Sequence, residues 1–102
     1  MTKVIFKFRV DKNIKQFLDS QGEVNFSKIV NESLRKFIDN NESFLLRDNF
    51  QFEFNGYLNI GIDYDLYNEI KNISKRTGIR LFYLVNIALL YHISRSIAHG
   101  EE

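Results

Sequence analysis

The chain has 102 residues, enough for one domain or for two very small motifs that share a core. Hydrophobic residues make up 44% and charged residues 26%, the mix of a folded protein and not of a disordered one. Lys and Arg number 14 against 13 Asp and Glu, so a net charge of +1 selects no partner class, and the absence of Cys excludes disulfides, thiolate catalysis and Cys-ligated zinc.

Val4, Phe6, Phe8 and Val10 alternate with Ile5, Lys7 and Arg9, which predicts a strand with one buried face. Asp11 follows as a helix cap, and Ile14, Phe17 and Leu18 recur at helical spacing before Gly22 ends that short helix. Asn25 can cap a second helix with Ile29, Val30, Leu34, Phe37 and Ile38 on its apolar stripe. The same order then returns. Leu58, Ile60 and Ile62 alternate with Tyr57, Asn59 and Gly61, and Asp63 stands where a cap is expected. A helix with Leu66, Ile70 and Ile73 ends at Thr77-Gly78, and a last helix carries Leu81, Leu84, Val85, Ala88 and Leu89. That helix also bears Phe82, Tyr83, Ile87, Leu90 and Tyr91, so it is apolar nearly all round and is expected to be covered by the linker or by another molecule.

The stretch from Leu58-Asn-Ile-Gly-Ile-Asp-Tyr-Asp-Leu through Ile70, Ile73 and Gly78-Ile79 to Ala88-Leu89 resembles the ribbon-helix-helix DNA-binding family. Residues Val4 to Phe37 resemble it too, with a changed loop between the helices. Tandem copies on one short chain are also similar to small transcription regulators of archaeal viruses, which would place the protein inside a host cell. The expected fold is mainly α with a small antiparallel β-ribbon. Residues 3–38 form copy one, 39–56 a linker and 57–97 copy two, the whole being an intramolecular pseudo-dimer. Physics favours the pairing independently. One strand and two short helices bury too little to be stable alone, and a lone strand leaves its backbone donors unpaired.

If Val4, Phe6, Phe8 and Val10 face the core, Lys3, Ile5, Lys7 and Arg9 face outward, a segment with three positive charges and no acid. A two-stranded ribbon fits the major groove, where Arg bonds guanine and Asn bonds adenine. The resemblance therefore implies base readout by Ile5, Lys7, Arg9, Tyr57, Asn59 and Gly61. It implies phosphate contacts at Lys3, at the start of the second helix (Asn25, Phe26, Ser27 and Lys28), and at Arg80. The two strands differ, so the expected partner is double-stranded DNA with an asymmetric site, occupied by single chains able to associate on it. Alternating cations on a strand are also common on a merely solvated face. A structural or protein-interaction module without specific DNA binding is the alternative.

No catalytic arrangement, metal site or cofactor is expected. His92 and His99 lie seven apart with no Cys or acidic residue at metal-ligand spacing, and Asp63, Asp65 and Glu69 fit helix-capping and first-turn positions. No targeting or membrane segment is expected either, since Arg80, Asn86, His92 and Arg95 break the longest apolar stretch. Finally, Phe50, Phe52 and Phe54 alternate before Asn55-Gly56, a hairpin signal. This predicts a third strand over 50–53 beside 57–62, with Phe50 and Phe52 facing the core, so that either the arm swings away on binding or the ribbon docks differently from its relatives.

Overall fold

Alternation and helical periodicity translate into six elements, described in a computed structural model over residues 2–22, 25–40 and 50–100, with 95–100 by backbone only. They are β1 (Lys3–Asp11), α1 (Lys12–Ser20), α2 (Phe26–Asp39), β2 (Phe54–Asp63), α3 (Tyr64–Thr77) and α4 (Leu81–Gly100). β1 and β2 pair antiparallel as a two-stranded sheet. The radius of gyration is 13.1 Å, the value of a compact domain of about 100 residues. Among the described residues the chain is thus a small compact domain of four helices and one antiparallel ribbon.

The strand faces separate as their period requires. Phe8, Val10, Leu58, Ile60 and Ile62 are buried against Ile14 and Leu18 of α1, Val30, Leu34 and Phe37 of α2, Leu66, Ile70 and Ile73 of α3, and Leu84 to Leu89 of α4. Val4 and Phe6 are half-buried, Phe6 meeting the edge of Tyr67 at 5.9 Å between centroids. Gly78, at φ 77°, adopts the left-handed turn that closes α3, where a side chain would be strained.

The register is regular from Lys3↔Asp63 to Arg9↔Tyr57 and then slips, so that Asp11 faces Phe54. The extra residue lies on β2 at Asn55-Gly56, and Gly56 takes φ 92° there. Asn55-Gly56 is therefore a bulge within β2 and not a hairpin turn. Accordingly β2 starts at Phe54, ahead of the expected 57, and the expected third strand over 50–53 is absent among the described residues.

The reason is physical. β2 continues back to Phe54, which faces Asp11 of β1, so no turn is left to fold 50–53 onto β2, and α2 holds the outer edge of β2 at Gly61 and Asp63. The Gly61 amide donates to Ser27 Oγ (3.1 Å), the Asp63 amide donates to Asn31 Oδ1 (2.9 Å), and Asn31 Nδ2 donates to the Gly61 carbonyl (2.9 Å). Residues 50–54 instead run across α4. Phe52 meets Tyr83 and Phe54 meets Phe82, each edge-on at 5.0 Å, Phe50 meets Tyr91 at 5.9 Å, and the Tyr83 hydroxyl donates to the Phe50 carbonyl (2.8 Å). Phe50 and Phe52 thus pack against the core over α4, as expected of core-facing linker residues, but without pairing as a strand beside Leu58 and Ile60. Among the described residues no arm lies along the ribbon, so the third-strand premise of an obstructed groove falls. Linker residues 41–49 lie outside the described residues.

Candidate nucleic-acid interface

The outward face of the ribbon follows from the same alternation that builds the core. Ile5, Lys7, Arg9, Tyr57 and Asn59 all lie exposed on it, with Ile5 at 75% and Tyr57 at 54% exposure. Five of the six residues expected to read bases are therefore together on one open surface, and the half-buried Gly61 shares it opposite Ile5. Lys7 and Asn59 pair across the middle of the ribbon. The Lys7 ammonium lies 4.9 Å from the centre of the Tyr57 ring, and the Arg9 guanidinium 5.8 Å from that of Phe82. Among the described residues no carboxylate pairs with either cation.

Lys3 lies on the same face but is engaged. Its Nζ is 3.4 Å from Asp63 Oδ1, directly across the strands, while Arg35 of α2 donates to Asp63 Oδ2 at 2.8 Å. The Arg35 hydrogen bond, with Lys3 contributing further, holds the Asp63 carboxyl below its ordinary value against the opposing effect of partial desolvation. Asp63 occupies the N-cap position of α3 but makes no side-chain capping bond, which corrects the expected cap. Its oxygens are directed at the two cations instead. Asp11 does cap, accepting from the Asn13 and Ile14 amides at 3.0 and 3.1 Å.

At the start of α2, Asn25 Oδ1 accepts from the Lys28 amide (3.1 Å), Phe26 is half-buried against the core, and Lys28 is exposed. Ser27, expected on phosphate, has its oxygen turned to the Gly61 amide, so it fixes β2 to α2. Arg80 is exposed, and its carbonyl accepts the Leu84 amide at the start of α4 (3.1 Å). Asp65 lies in the first turn of α3, where a negative charge suits the helix dipole. The His99 side chain lies outside the described residues. No single helix among them is long and apolar enough to cross a membrane.

Two residues that sequence reasoning missed organise both edges of the ribbon. Asn86 of α4 is fully buried. Its Oδ1 accepts from the Asp11 amide (2.8 Å), and its Nδ2 donates to the carbonyls of Arg9 (2.8 Å) and of Phe82 one turn back (2.7 Å). Asn31 of α2 does the same to β2, bonding the Asp63 amide, the Gly61 carbonyl and the carbonyl of Ser27 one turn back (2.6 Å). The available signal was an amide set within each apolar stripe, beside Val30 and beside Val85, where a buried polar group must find partners.

The chain matches no protein-family model, no curated protein and no solved structure.

Proposed function

We propose that the chain consists of two ribbon-helix-helix copies folded as an intramolecular pseudo-dimer, and that it regulates transcription by inserting its ribbon into the major groove of double-stranded DNA. Three correspondences support the two copies. Lys7 and Asn59 stand equally far before the final Asp of their strands and pair with each other, as an approximate two-fold axis between them requires. Asn31 and Asn86 bracket opposite strands with the same three hydrogen bonds. The first amide of α1 donates to the residue before β2 (Lys12 to Glu53, 2.8 Å), and that of α3 to the residue before β1 (Tyr64 to Thr2, 3.1 Å).

The observation that carries DNA binding is the exposed ribbon face, on which Lys7 and Arg9, paired with no carboxylate among the described residues, stand beside Asn59, Tyr57 and Ile5. A two-stranded ribbon is of groove width, about 12 Å, and Arg and Asn are the side chains that bond guanine and adenine edges. The reading requires neither catalysis nor a cofactor. Selection from random duplexes followed by gel shift tests it. An enriched motif, whose affinity falls as salt rises, is the expected result. No retention at low salt by folded protein overturns it. That outcome would leave the protein-interaction module, which the exposed Ile5 and Tyr57 side chains favour. Sedimentation without DNA is expected to give one folded chain; a strand-exchanged dimer as the smallest folded species would contradict the intramolecular pairing.

A further inference from the structure

We infer that the ribbon reads its two half-sites by different chemistry: Arg9 and Tyr57 impose a guanine requirement on one half, while Asp63 silences the cations at the other end and leaves that half to the apolar side chain of Ile5. This deepens the DNA-binding reading and rests on it.

The central Lys7–Asn59 pair divides the outward face into two ends, Arg9 opposite Tyr57 and Ile5 opposite Gly61. At the first end the guanidinium meets the Phe82 ring and, among the described residues, no carboxylate, and it borders an open depression of about 230 Å³ lined by Arg9, Phe54, Gly56 and Tyr57. The counterpart carboxylate there, Asp11, is buried and receives the amides of Asn13, Ile14 and Glu53, so it does not compete for the cation. An Arg side chain in this setting can turn into the groove and bond guanine O6 and N7.

At the second end every term is reversed. Gly61 presents no side chain, and the Lys3 stem fills the space beside it, with Cδ 3.3 Å from where a Cβ would stand. Lys3 and Arg35 both converge on Asp63, and Asp65 lies two residues further on. Lys3 and Arg35 against Asp63 and Asp65 leave this cluster without a surplus that holds a phosphate, and the exposed cation beside it is Lys28, next to the Ser27 that takes the Gly61 amide. What projects is Ile5, whose apolar side chain suits a thymine methyl and offers no hydrogen bond.

The test is duplex selection with wild type, Arg9→Ala, Lys3→Gln and Lys7→Gln, together with salt titrations of Asp63→Asn. The wild-type consensus is expected to hold a required guanine in one half only. In Arg9→Ala that guanine preference should fall on the order of tenfold or more while preferences in the other half persist. Lys3→Gln should weaken binding to all duplexes less than Lys7→Gln does, because Lys3 already faces Asp63 while Lys7 pairs with no carboxylate among the described residues. Asp63→Asn should bind all duplexes more tightly and with a steeper salt dependence, since it releases two cations. A palindromic wild-type consensus, or an Arg9→Ala variant that loses both halves equally, overturns the inference and leaves DNA binding intact. Lys3→Gln losing as much affinity as Lys7→Gln overturns the silencing by Asp63, as does an unchanged salt slope in Asp63→Asn. No enrichment by the wild type overturns the DNA-binding reading itself and the inference with it.

Discussion

Asp11 and Asp63 close the two strands at corresponding points, and the chain uses them differently. Asp11 is buried, caps α1 and accepts the Glu53 amide at 2.7 Å, so its carboxylate is consumed by backbone. Asp63 leaves α3 without a side-chain cap and takes two cations at the rim. By contrast Asn31 and Asn86, also at corresponding points, make the same bonds. The difference follows depth. Where the backbone edge must be satisfied away from water, the two strands share one solution; where the group reaches solvent, each strand end is free to do something else.

The largest effect that would break this comparison is at the buried amides. Asn86→Ala removes the partners of the Asp11 amide and the Arg9 carbonyl, and leaving such groups unmade costs about 1–3 kcal/mol each. A loss of about 2–4 kcal/mol is expected in denaturant unfolding, with a similar or smaller loss for Asn31→Ala, whose site is slightly more open. If one variant is near neutral while the other is severely destabilised, the two edges are not energetic counterparts.

A smaller effect separates the aspartates. Asp11→Ala removes a cap, at about 0.5–2 kcal/mol, and strands the Glu53 amide besides, so a loss of about 1–3 kcal/mol is expected. Asp63→Ala removes only rim ion pairs and is expected to be the milder variant of the two. Equal unfolding midpoints for the two variants would contradict the assignment of a buried backbone role to one and a surface charge role to the other.

What the sequence made legible tracks the same division. Periodicity placed all six elements, because burying Phe8, Val10, Leu58 and the helix stripes decides which face turns inward. It also placed the outward face, which is the complement of the buried one. It failed where a polar group reaches across the fold. Ser27, Asn31 and Asn86 look like ordinary helix residues until the strand edges are beside them, and only then does the edge of β2 prove to be taken. The Asn55-Gly56 pair misled on a different ground: a positive φ at Gly56 serves a hairpin or a bulge equally, and the pairing of Phe54 with Asp11 beyond it makes it a bulge. The ion pairs of Asp63 were equally hidden, since Arg35 approaches from another helix.

The finest test concerns the protonation of Asp63. Its native carboxyl is held below the ordinary value of about 3.8, first by the Arg35 hydrogen bond and then by Lys3. A carboxyl whose native value lies below its unfolded one contributes stability that is fully present above the unfolded value. That contribution disappears as pH falls through the native value. The unfolding difference between wild type and Arg35→Gln should therefore be constant near neutrality and shrink in acid below about 3.8, and it should be smaller at high salt because the group lies at the surface. Carbon-detected NMR titration of the Asp63 carboxyl reads the cause directly. The midpoint should rise toward the ordinary value in Arg35→Gln and rise less in Lys3→Gln, the order in which the two cations act. A wild-type midpoint at or above the ordinary value would mean that the cations at this end are not held by Asp63. The two ends of the ribbon would then be alike in charge as well as in backbone.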